Sequence, residues 1–234
     1  MILRLLDFLF PRRSLTGGEG ELMTADELRS LRSVPVILET AALRAQGLEY
    51  IDRIVAAADY DSVPLLHRAV HLLKYKKVRG MGSMLGKILL DVSVFSLPSP
   101  RTRPHFVRSM RGKPDTQITG EGPVLCPVPL HWIRKFSRGF NQSEILAHAV
   151  GQRGWEVRNL LRRVRWTGSQ VGRHRRERLI GVKDAFAIRS EKEIPSHVIL
   201  VDDLSTTGAT LNECAKVLKN AGVKNVEGLV LALG

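Results

Sequence analysis

Two adjacent carboxylates, Asp202 and Asp203, follow the apolar run VILV at 198–201 and precede Ser205, Thr206, Thr207, Gly208, Ala209 and Thr210. Neighbouring carboxylates can accept hydrogen bonds from the vicinal hydroxyls of a sugar. A run of small residues entering a helix lets backbone N–H groups converge on an anion, and the helix N-terminus adds a partial positive charge. The hydroxyls of Thr206, Thr207 and Thr210 supply further donors. A ribose 5-phosphate offers the complementary groups, hydroxyls beside a phosphate. The plain structural alternative is a strand-to-helix turn with acidic capping residues. A Walker-type phosphate loop is excluded, because no G-x-x-x-x-G-K-[ST] occurs.

The flanking pattern says how this turn is held. The apolar run before the acids is a buried strand, and ligands bind at the carboxyl ends of strands in open parallel sheets. After the turn, Leu211, Cys214, Ala215, Leu218 and Ala221 line one helical face, and Gly222 stops the helix. Further strands are expected at 124–129, 184–188 and 226–233. A helix over 141–151 is expected to start at Asn141 with Glu144 three residues on, a capping-box spacing. Thr24 with Glu27 signals the same start for a short helix at 24–33. Alanine- and leucine-rich 39–58 reads as a second helical stretch, and 63–90 as two amphipathic helices separated by Gly80 and Gly82. Prolines and glycines mark 96–123 as a loop or insertion. Strands alternating with helices predict an α/β fold with a parallel sheet covered on both faces.

The chain has 234 residues, and 36 basic against 23 acidic residues give it a net charge of +13. Composition is ordinary for a globular protein, which excludes a disordered one. Five basic residues and no acid occupy 101–113, and eight arginines face one glutamate in 158–178. Clusters of one sign point to phosphate-bearing partners, and arginine suits bidentate phosphate contacts. No apolar run is long enough to span a bilayer, and the start MILRLLDFLF is a poor signal peptide, so a cytoplasmic protein without membrane insertion is expected. Cys126 and Cys214 are expected to be inert buried thiols. His67 and His71 lie four apart but have no glutamate beside them, and read as surface or groove histidines rather than metal ligands. Trp132 and Phe136 could stack on a base or close the core; Lys74 could line the cleft or end a solvated helix.

The stretch VILVDDLSTTGAT resembles the phosphoribosyl pyrophosphate (PRPP) motif of type I phosphoribosyltransferases. Upstream, PVPLHWIRKFSRGFNQSEILA (127–147) and RRVRWTGSQVGRHRRERLIGVKDAF (162–186) are similar to signatures of the ComF (competence protein F) family, as are LLDFLFPRR and LLKYKK. The resemblance implies a type I phosphoribosyltransferase fold over 61–234, preceded by a small, mostly helical region at 1–60. In it Asp202 and Asp203 would be the catalytic pair holding the ribose hydroxyls, and Ser205, Thr206, Thr207, Gly208, Ala209 and Thr210 the 5-phosphate site. Arg134, Arg138 and Gly139, together with Arg163, Arg165, Gln170 and Arg176 from a mobile arginine-rich loop, would hold the pyrophosphate.

The implied activity is transfer of the phosphoribosyl group to an unidentified acceptor, with Mg²⁺ bound through PRPP rather than by dedicated protein ligands. The competing reading keeps the fold as a non-catalytic module that binds single-stranded DNA in transformation, among other DNA-uptake proteins. The chain departs from the family where cysteine pairs for structural zinc are expected: PRRSLTGG has Ser14 and Gly17 there, and no cysteine precedes Cys126. No bound zinc is therefore expected. The family's asparagine before the valine of the last signature is also missing, with Ile180 and Gly181 in its place, and 96–123 is longer than the family's usual link.

Overall fold

The structure is a computed structural model that describes residues 14–18, 21–75, 78–97, 122–131, 136, 139–165, 181–189 and 193–234. The insertion expected at 96–123 falls almost wholly outside the described residues. Helix α1 (Ala25–Ser30) opens as its sequence predicts, with the Thr24 side chain accepting from Glu27 N–H and the Glu27 carboxylate accepting from Thr24 N–H. Then come β1 (Val36–Glu39), α2 (Thr40–Ala45) and β2 (Arg53–Asp59), followed by α3 (Pro64–Tyr75) and α4 (Arg79–Ser96). Next are β3 (Val124–Pro127), α5 (Gln142–Gly151), β4 (Leu161–Arg163) and β5 (Phe186–Ile188). The chain ends with β6 (His197–Ser205), α6 (Ala209–Asn220) and β7 (Asn225–Leu233).

Five strands form the main sheet in the order β1-β2-β7-β6-β3. All neighbours are parallel except β1, which runs antiparallel to β2 at the edge. Strands β4 and β5 form a separate antiparallel pair. Alternate residues of each central strand feed two cores. Val55, Leu125, Ile199, Val201, Leu229 and Leu231 face α3, α4 and α5. Ile54, Ala56, Cys126, Val198, Leu200 and Val230 face α2, α6 and the β4–β5 pair. Burial on both faces is what parallel strands require.

Two expectations are corrected here. The helical reading of 39–58 fails: this stretch supplies part of β1, a six-residue α2 and most of β2. In β2 five consecutive residues are buried, and Ile54, Val55, Ala56 and Ala57 alternate between the two cores, so period-two packing overrides the helix preference of alanine. Residues 36–59 consequently belong to the main sheet, with β2 hydrogen-bonded to β7, rather than to a separate helical region ending at 60. Gly80 and Gly82 do not separate two helices; both lie inside α4, and the break falls before Arg79. A Cβ at Gly82 would come within 2.8 Å of Ile145, and one at Gly86 within 2.3 Å of the Ala149 Cβ. These glycines let α4 and α5 pack closely.

Candidate phosphate and sugar site

The carboxyl ends of β3 and β6, which are adjacent and parallel, each run into a helix, and the candidate site lies where these turns meet. Strand β6 is buried from Val198 to Val201 and runs on to Ser205, past the run read from sequence, so Asp202 and Asp203 lie within its closing stretch toward the sheet's carboxyl edge, alongside β7. Ser205, Thr206 and Thr207 follow, and Gly208 starts α6 with φ of 70°. That left-handed conformation suits glycine, and a Cβ there would also meet Leu48 at 2.5 Å. No side chain caps α6 at Gly208; the nearest substitute is the long 3.4 Å bond from Ala209 N–H to Thr207 Oγ1. The first turn of a twelve-residue helix thus opens with its N–H groups toward a recess of about 50 Å³ lined by Asp202 and residues 204–211. Asn212 anchors the same helix by accepting from the N–H groups of Tyr50 and Ile51.

The turn from β3 to α5 is finished differently. Asn141 caps α5, its Oδ1 accepting from Ser143 N–H while its Nδ2 donates to the Val128 carbonyl at 3.1 Å. Gly139 precedes it with φ of 81°. The closed cap carries Ser143 to the neighbouring strand, where its hydroxyl donates to Asp202 Oδ1 at 2.7 Å. The same oxygen accepts the Asp203 N–H at 2.9 Å. Burial first, and then the charge of Asp203, pushes the Asp202 carboxyl up to about 6, against the pull of the Ser143 hydroxyl, Lys74 and the Asp203 N–H. From the end of α3, Lys74 Nζ reaches Asp203 Oδ1 at 2.9 Å, with the two side chains 18% and 9% exposed.

The structure therefore brings together Asp202, Asp203, Ser205 through Thr210, and the Gly139–Ser143 turn. Arg134, Arg138, Gln170 and Arg176 lie outside the described residues. Arg163 and Arg165 sit at the root of the arginine-rich segment. The Arg163 guanidinium lies over the Phe186 ring at 5.1 Å, across the β4–β5 pair. Arg165 donates to the carbonyls of Lys183 and Gly181, joining the outgoing chain to the returning one. Asp184, at φ of 55°, completes that root, its N–H donating to Glu213 on α6. A larger cavity of about 540 Å³ runs between α4 and α5 and reaches Gly139 and Asn141. It holds neither acid of the pair nor the open helix end, so the smaller recess is the better candidate for the sugar phosphate.

Sequence reasoning did not single out Ser143, which lies inside a quoted motif but carries no pattern of its own. For Lys74 it left open the acceptor side of the cleft or a solvated helix end; the structure instead pairs it with Asp203, mostly buried. His67 stacks on Tyr60 and bonds its carbonyl, a groove histidine as expected. Cys126 and Cys214 are buried, and burial pushes the Cys126 thiol up to about 12 and the Cys214 thiol well above its ordinary value. Neither is a nucleophile. Among the described residues, no helix is long and apolar enough to cross a membrane, and no group of three or more histidine, cysteine or acidic residues could hold a metal.

Comparison with known proteins agrees with this geometry. The phosphoribosyl transferase domain family matches residues 164–233, which contain the acid pair, the open turn and α6. Competence protein F of Haemophilus influenzae is 37% identical over 110 residues, 44% of this chain and 47% of that protein. Competence protein ComFC of Streptococcus pneumoniae is 41% identical over 100 residues, 43% of each. Each match thus spans less than half of the relative's length. DNA utilization protein YhgH of Salmonella typhimurium is 31% identical over 182 residues, 75% of this chain and 69% of that protein. With a match of that extent joined to a phosphoribosyl transferase domain match over 164–233, the chain belongs to the ComF family of phosphoribosyltransferase-like proteins.

Proposed function

We propose that the protein is a PRPP-dependent phosphoribosyltransferase. The observation that carries this reading is the uncapped N-terminus of α6, opened by Gly208, beside two carboxylates at the end of β6. The 5-phosphate accepts from the N–H groups of 208–210 and from the hydroxyls of Ser205, Thr206, Thr207 and Thr210, while Asp202 and Asp203 accept from the ribose hydroxyls. Transfer breaks the bond from C1 to pyrophosphate and forms a bond from C1 to an unidentified nucleophilic acceptor. Positive charge grows on the ribose and negative charge on the leaving group, so carboxylates beneath the sugar and arginines at the diphosphate both act in the favourable sense.

Arg134, Arg138, Gly139, Gln170 and Arg176 are the proposed pyrophosphate contacts, with Arg163 and Arg165 shaping the base of the arginine-rich segment. Mg²⁺ would be carried by PRPP oxygens rather than by dedicated protein ligands, with the two carboxylates at this edge facing the sugar. Magnesium would neutralise diphosphate charge as it leaves. The buried reduced thiols and the resemblance favour a cytoplasmic setting. The names of the relatives point to a role in competence or DNA utilization, with other DNA-uptake proteins as partners.

A second reading has its own support. Phe136, within the basic sequence stretch 134–138, is 88% exposed, and an exposed aromatic suits stacking on single-stranded DNA. One thermal-shift experiment separates the two. PRPP with Mg²⁺ at about a hundred times its Kd is expected to raise Tm by about 5–10 °C, whereas an oligonucleotide that binds with steep salt dependence while PRPP gives no shift would leave only the binding module.

A further inference from the structure

We infer that Lys74 is the built-in counter-cation of the acid pair, so that the site takes a divalent cation with its polyphosphate substrate and not alone. The identity of that substrate rests on the phosphoribosyl reading; the counter-cation role does not. Lys74 closes α3, a helix rooted in the core through Leu66, Ala69, Val70 and Leu73. The ammonium is therefore delivered by a packed helix, not by a free surface side chain. It lies 2.9 Å from Asp203 Oδ1 and is 18% exposed. On the other acid, Asp202 Oδ1 already accepts from Ser143 and from the Asp203 N–H.

One oxygen of each carboxylate is thus engaged by a donor. A bare divalent cation reaching the pair meets an ammonium at short range and too few remaining oxygens for the octahedral set that magnesium demands. A cation already wrapped in diphosphate oxygens arrives with net negative charge, which the ammonium attracts. Lys74 therefore discriminates between free metal and metal-loaded substrate, in addition to keeping the two neighbouring acids compatible.

Mn²⁺ alone is the probe, followed by electron paramagnetic resonance on the full chain at about pH 8, with Asp203→Asn reporting what belongs to this site. The wild-type protein is expected to bind Mn²⁺ there no tighter than about 1 mM. Lys74→Met should bind it at least about tenfold more tightly, and Lys74→Arg, which keeps the charge, should behave as wild type. Mg²⁺·PRPP should bind Lys74→Met about tenfold more weakly, read by calorimetry. Circular dichroism melting checks the fold of each variant. Tight Mn²⁺ binding by the wild type that Asp203→Asn removes overturns the inference, even if the methionine variant does not fold. So does unchanged Mn²⁺ affinity in a folded Lys74→Met. Wild-type protein that ignores Mg²⁺·PRPP overturns the phosphoribosyl reading, while the Mn²⁺ comparison still decides whether Lys74 guards the acids.

Discussion

The starts of α5 and α6 come together beside the acid pair, yet they are finished in opposite ways. After β3, Asn141 caps α5 with its own side chain and ties the turn to Val128. After β6, Gly208 takes a left-handed conformation and leaves α6 without a side-chain cap. A side-chain cap engages one of the orphan donors of a helix end, whereas an end without one leaves them all for a ligand. The capped start of α5 presents Ser143 to Asp202, whereas the open start of α6 is the proposed receptor for the 5-phosphate. Polar satisfaction, more than residue type, separates the two roles.

The sharpest way to break that contrast is to remove the acids beside the receptor. Asp202→Asn together with Asp203→Asn is expected to abolish the PRPP-induced rise in Tm, as read by differential scanning fluorimetry; a preserved rise would place the sugar elsewhere. Next in size is Gly208→Ala. The left-handed backbone and the 2.5 Å approach to Leu48 should together cost about 2–4 kcal/mol in urea unfolding, and PRPP should no longer stabilise the product.

Ser143→Ala tests the closed turn. Losing a hydrogen bond to a charged group should weaken PRPP binding by about tenfold, measured by calorimetry. The same variant has a pH signature. In the wild type, affinity should fall as pH drops through about 6, because the raised Asp202 carboxyl then takes a proton and loses the charge that makes it a strong acceptor for the ribose hydroxyls. Without Ser143, which pulls that carboxyl down, the midpoint should move upward. For folding the sign is opposite: a raised acid contributes stability below its unfolded value of 3.8, and that contribution is lost as pH rises through about 6.

The smallest effect belongs to a helix start far from the site. Thr24→Ala should cost about 1 kcal/mol by denaturant unfolding and leave PRPP binding unchanged. Its partner Glu27 is pushed up by burial, but the bonds from Thr16, Thr24 and Ser14 outweigh this and bring it to about 2. Stability from Glu27 should therefore be full above its ordinary value of 4.5 and lost as pH falls toward 2, which acid unfolding of wild type against Glu27→Gln would register.

Much of this organisation is legible in the chain. The apolar run, paired acids and small-residue turn identify β6, the open turn and α6, because each feature is local. Thr24 and Asn141 mark helix starts for the same reason. Residues 39–58 are not legible in that way: alanine is permissive, and only packing between β1 and β7 makes β2 a strand. Gly80 and Gly82 look like breakers in sequence, yet both lie inside α4; Gly82, with Gly86, is a contact point with α5, and nothing local announces that α5 will press against α4.

Local order along one strand and one turn is enough to place two carboxylates beside a small-residue helix start, so that arrangement can be read from the chain. The groups that tune those acids come from packing. Lys74 comes from a helix more than a hundred residues earlier in the chain, and Ser143 from the helix after a neighbouring strand. Their meeting depends on sheet order and helix packing, and no local pattern encodes the distance between residues that fold together from separate elements.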